Sequence, residues 1–137
     1  NYRINGKKYG ELAQWAIIAG HFDVPMLMVS GDEAACTEAY SFFDPIECAA
    51  VKRGKGRNSA ILVDNDEALD RIRTAAKKSL SLIGKAKPFK PILPMEITLE
   101  LYRSDFCDEY AKKPGVERLD ARTVRRVSND TLSIFFN

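Results

Sequence analysis

Glu11 and His21 are the residues of this sequence whose types and setting first suggest metal or acid–base chemistry. Glu11 opens an apolar run that ends at Gly20, and His21, the only histidine, follows at once. A hydrolytic zinc centre needs several nitrogen or oxygen ligands and an open position for water or substrate. One carboxylate and one histidine do not make that set, and no HExxH motif occurs. On the residues alone, Glu11 is a first-turn glutamate favoured by the helix dipole. His21 reads as a packing residue at the helix end. Cys36, Cys48 and Cys107 are an odd, widely spaced set without a Cys-x-x-Cys pair, which speaks against a disulfide framework or a thiolate zinc site. Cys36 and Cys48 lie among alanines and read as buried, inert thiols, and a reducing cytoplasm is the expected compartment.

Two further groups bear on ligands. Asp32 and Glu33 follow an apolar segment, at the kind of position where parallel strands meet ligands, but Asp32 reads first as a helix cap. Lys52-Arg53-Gly54-Lys55-Gly56-Arg57 combines glycines with cations, a composition suited to an anion-binding loop. The plainer reading is a solvated loop that turns sharply, and the spacing matches neither a Walker A loop nor a Rossmann glycine pattern.

The elements that position these residues follow from periodicity. Asn5-Gly6 is a tight-turn signal, since both tolerate positive φ. From Glu11, Leu12, Trp15, Ala16 and Ala19 fall on one helical face, and Ala13, Ile17 and Ile18 cover most of the rest. A helix apolar nearly all round is expected to be buried. Val24–Val29 and Ile46–Val51 read as strands covered on both faces, which suits a parallel sheet. Asp32 is placed to cap a helix running to about Tyr40. Asp64, with Glu67 three residues on, has the offsets of a capping box. Leu69, Ile72, Ala76, Leu80 and Ile83 then recur at helical spacing up to Gly84.

Pro88, Pro91 and Pro94 interrupt regular structure, and beyond them the pattern changes. Ile97, Leu99 and Leu101 alternate with polar or half-polar neighbours, as in a half-exposed strand. Ser104 is placed to cap a short helix through Lys112. Val116–Leu119 and Thr123–Val127 read as antiparallel strands about Asp120-Ala121, and Asn129 as the cap of a last helix carrying Leu132, Phe135 and Phe136. The expected class is α/β: part of a parallel sheet flanked by helices in residues 1–87, then an α+β lobe with an antiparallel sheet in residues 88–137.

At 45% hydrophobic and 29% charged residues, the composition is that of a soluble globular protein. A net charge of +2 gives no ground for a nucleic-acid or anionic-membrane partner. The apolar runs are too short to span a bilayer.

Several of these pieces together resemble the zinc-dependent D-aminopeptidases of the bacterial dipeptide-operon type. They are Asn5-Gly6, Gly10-Glu11, Ala19-Gly20-His21, Ser30-Gly31-Asp32, Val51-Lys52-Arg53-Gly54 with Gly56-Arg57, and Pro114–Asp120 with Arg122-Thr123-Val124, in family order. Glu33 stands where the family usually has a second aspartate. The resemblance implies that Glu11 is a zinc ligand in a two-zinc site. It places the other ligands and any catalytic residue upstream of this segment. It further implies a short peptide substrate cleaved at its amino terminus, with preference for D-residues, and a ring-like homo-oligomer. The chain then reads as the carboxyl-terminal part of such an enzyme, inactive without its upstream half, and a start at Asn1 without methionine suits that. The alternative is a non-catalytic binding or assembly module that retains the fold.

Overall fold

Asn5 and Gly6 take φ of 50° and 79°, and these left-handed conformations fold β1 (Tyr2–Ile4) back onto β2 (Lys7–Lys8) in a tight hairpin. In this computed structural model, which describes residues 1–136, the hairpin forms one side of a five-stranded antiparallel sheet of order β2-β1-β6-β8-β7. The other strands are β6 (Met95–Glu100), β7 (Val116–Arg118) and β8 (Thr123–Ser128). Tyr2 pairs with Leu99 and Ile4 with Ile97, while Met95 through Glu100 pair with Ser128 back to Thr123. The sheet, α1 (Glu11–His21) and α4 (Ser104–Ala111) belong to a compact unit made of Asn1–His21 and the chain from Lys90 onward.

The alternation anticipated around Ile97 decides which face of this sheet is packed. Met95 and Ile97 are buried and Glu96 is exposed; Ile4, Ile17, Val124, Cys107 and Ile134 complete the largest fully buried side chains. Each such side chain contributes about 1.5–3 kcal/mol by leaving water. α1 packs against the 3-10 turn Thr131–Ile134. Asp130, rather than Asn129, caps that turn by accepting from Leu132 N at 2.9 Å. α4 begins at Ser104 without a side-chain cap. The Asp120 turn forms as expected, its Oδ1 accepting from the backbone of Arg122 and Thr123 at 2.7 and 2.8 Å.

The expectation of an all-round buried α1 is corrected. Ala13, Ala16, Ile17 and Gly20 form its buried stripe, whereas Trp15 is 56% exposed. The small residues let one side approach its neighbours closely. Elsewhere on the helix Leu12, Ile18 and Ala19 are half-buried, and Trp15 meets Phe135 edge-on with ring centroids 5.7 Å apart.

The second compact unit is Phe22–Phe89. Its β3 (Met28–Asp32) pairs parallel with β4 (Glu47–Gly56), joined through α2 (Glu33–Phe42). β5 (Ser59–Leu62) adds an antiparallel edge, giving the order β3-β4-β5. β3 starts at Met28 and not at Val24, because Asp23 turns the chain with φ 60° and Pro25 has no N–H to give a ladder. Asp32 is the α2 cap, accepting from Ala35 N at 2.8 Å. α3 (Asn65–Ser79) starts at the Asp64 cap and continues as a 3-10 turn, Leu80–Leu82, before Gly84 at φ 78°. Glu67 does not close the anticipated capping box but binds Arg71 at 2.6 Å.

The observed class is therefore α/β, with a parallel pair flanked by helices and a separate antiparallel sheet. Among the described residues, no helix is long and apolar enough to cross a membrane.

Candidate functional site

The position of Glu11 is set by the turns before it. Asn5 ties the β1–β2 hairpin to β6 twice and to the segment before it once: its N–H donates to the Glu96 carbonyl at 2.8 Å, its Oδ1 accepts from Glu96 N at 2.8 Å, and its Nδ2 donates to Ile92 O at 3.0 Å. Tyr9 N then donates to Tyr2 O at 3.0 Å, and Gln14 N donates to the Gly10 carbonyl at 3.3 Å as α1 begins. Glu11 is the first residue of the helix and is exposed. Its carboxylate thus stands at the positive end of the helix dipole, on a base tied down by backbone hydrogen bonds.

His21 does not join it. Ten residues of helix at 1.5 Å each put about 15 Å between the two positions, beyond the reach of one metal ion. The His21 Nδ1 lies 2.7 Å from Thr131 Oγ1, which agrees with the helix-terminal packing role. Among the described residues no three His, Cys, Asp or Glu side chains converge as a metal site. The donor set of these residues alone does not fit a zinc centre; Glu11 has the exposure and chemistry of one ligand.

The remaining candidates lie in the other unit. Asp32 is engaged as a cap, and its Oδ2 lies 3.7 Å from where a side chain on Gly54 would start. Glu33 follows it as the first residue of α2. Arg53 falls on β4 and Arg57 in the turn to β5. The anticipated glycine–cation loop is mostly strand: Lys52 pairs with Leu62, Arg53 with Ile61 and Gly54 with Ala60. The stretch is therefore shaped by strand pairing with β5 and not as a free-standing loop.

The thiols are free, as expected. Burial, with the neighbouring Cys48, pushes the Cys36 thiol up to about 11, so at neutral pH it is no nucleophile. Cys107 is buried, its Sγ 3.8 Å from the Asp120 carbonyl. A cleft of about 670 Å³ beside β4 and α3 was not legible in the sequence. Its lining residues come from two separated stretches, around Glu47 and from Asp66 to Lys78.

With this geometry in place, comparison with known proteins adds three findings. A family described as D-aminopeptidase matches residues 1–136. The D-aminopeptidase of Bacillus subtilis (strain 168) is 28% identical over 136 residues, covering 98% of this chain and 50% of that protein. A solved structure described as Zn-dependent D-aminopeptidase DppA from Bacillus subtilis, a self-compartmentalizing protease, has a TM-score of 0.90 at 28% identity. That alignment covers 97% of this chain and 49% of the relative. The chain spans about half the length of both.

Proposed function

This chain belongs to the D-aminopeptidase family, and on that premise we propose that it is the carboxyl-terminal part of a metal-dependent aminopeptidase releasing amino-terminal, preferably D-, residues from short peptides. The observation that carries the reading is a family match over essentially every described residue. The ordered Gly10-Glu11 step within that match is its link to chemistry.

Glu11 is proposed as one zinc ligand. Its helix mouth presents a carboxylate outward on a fixed backbone, as a ligand position requires. The other ligands and the catalytic groups are proposed to come from the upstream half of the same protein, since residues 1–136 bring no three donors together. Zinc, two ions per complete subunit, would supply Lewis-acid chemistry when bound. The exposed side of α1, with Trp15, is proposed to be covered by that half. A cytoplasmic homo-oligomer completes the reading.

The test is hydrolysis of matched D-alanyl and L-alanyl dipeptides by the intact protein. Faster release from the D-peptide, abolished by chelation and restored by zinc, is expected. Equal or absent hydrolysis in a zinc-loaded preparation would overturn it. The lack of a converging donor set among the described residues favours a second reading, an assembly module without chemistry. Intact-mass measurement with metal analysis separates the two: a mass matching these residues alone and no zinc supports the module.

A further inference from the structure

The ribbon made by the second half of β4 with β5 is uncovered on both faces. Every residue from Lys52 to Leu62 is exposed. The register sets Arg53 beside Ile61 and Lys52 beside Leu62, and because side chains alternate, Ile61 and Leu62 lie on opposite faces. They are 47% and 72% exposed. Sheets in water ordinarily pack at least one face, and a two-stranded ribbon alone is marginal. The ribbon is also of one charge: Lys52, Arg53, Lys55 and Arg57 are followed by no acid before Asp64.

The same unit carries the opposite charge elsewhere. The cleft beside α3 is lined by Glu47, Asp66, Glu67 and Asp70, with Arg71 and Lys78. Arg71 is held by Glu67 at 2.6 Å and donates to the Ala50 carbonyl at 2.6 Å. Asp70 pairs with Arg73. The cleft lining thus keeps an excess of carboxylates over cations.

We infer that the basic ribbon Lys52–Leu62 of one copy seats in the acidic cleft beside α3 of a second copy. The contact is head-to-tail, because ribbon and cleft are different patches, and such contacts close into rings or extend as filaments. It brings cations to carboxylates and takes an exposed Ile61 or Leu62 out of water. It rests on the homo-oligomer reading above and specifies its surfaces.

The test is sedimentation of the intact protein with four variants. Arg53→Glu/Lys55→Glu lowers the assembly mass, and so does Asp66→Lys/Asp70→Lys. The quadruple variant, with both charges exchanged, restores it. The neutral pair Arg53→Gln/Lys55→Gln gives a partial loss, and far-UV circular dichroism verifies folding of each protein. Raised salt weakens the wild-type assembly, as screening of exposed pairs requires. An oligomeric wild type whose mass is unchanged by the folded ribbon variants overturns this contact alone. So does a folded quadruple variant that fails to reassemble. A monomeric wild type overturns both this contact and the homo-oligomer reading.

Discussion

The five-stranded sheet and the β4–β5 ribbon are built from the same antiparallel hydrogen bonding, yet their side chains meet different surroundings. In the sheet, Ile4, Met95, Ile97 and Val124 are at most 1% exposed. In the ribbon no residue is buried. Ladder pairing alone therefore does not make a core. Burial comes from what the sheet's face meets, and in the first unit the buried side chains of α1, α4 and the last 3-10 turn share that core.

The largest expected effect sharpens this contrast. Ile97→Ala should cost about 2–5 kcal/mol, the usual range for emptying a packed site, whereas Ile61→Ala should stay within about 0.5 kcal/mol in the dissociated protein. Denaturant unfolding midpoints measure both. Equal losses would mean that the ribbon is packed in solution and break the comparison.

Glu11→Gln comes next. The helix mouth is exposed, so the fold should survive, while zinc affinity or turnover of the intact protein falls about 10–100-fold. Zinc stoichiometry by metal analysis, together with peptide hydrolysis, decides it; unchanged values remove Glu11 from the site.

The helix starts in the two units offer a smaller contrast. Asp32→Ala removes an observed cap and should cost about 0.5–2 kcal/mol. Ser104→Ala removes no cap hydrogen bond and should be near neutral. Thermal unfolding of the two variants checks the difference.

Cleavage should distinguish the connection from the elements it joins. Phe89 packs edge-on to Phe42 and Phe43, and Asn5 holds the Ile92 carbonyl, but Lys85 is exposed between regular elements. Limited trypsin treatment should cut first after Lys85, because Lys87 and Lys90 precede prolines. Mass spectrometry of the first fragments identifies the site, and initial cleavage within β6 or α3 would contradict preferential exposure of this connection.

The mildest effect is at the Asp120 turn. Hydrogen bonds from Arg122 N and then Thr123 hold its carboxyl below the usual carboxylate range. A lowered folded pKa means that the turn's contribution is complete above the unfolded value, about 3.9. It is lost as pH falls through the lower folded value. Amide shifts of Arg122 and Thr123 in an acid titration should follow that loss, and Asp120→Asn should abolish the titration.

The sequence by itself determined the short-range features of this protein. Asn5-Gly6 turns because both residues accept positive φ, Asp32 and Asp64 cap because their carboxylates reach the next free N–H groups, and Ile97 alternates because a strand has period two. Each depends on atoms a few residues apart. The role proposed for Glu11 rests on resemblance to a family, since one carboxylate defines no site. Tertiary structure alone decided that Tyr2 pairs with Leu99, that one stripe of α1 is covered while Trp15 is left open, and that the glycine–cation stretch runs as strand. Those outcomes depend on which distant surfaces meet and shed water, and local periodicity carries no record of the partner.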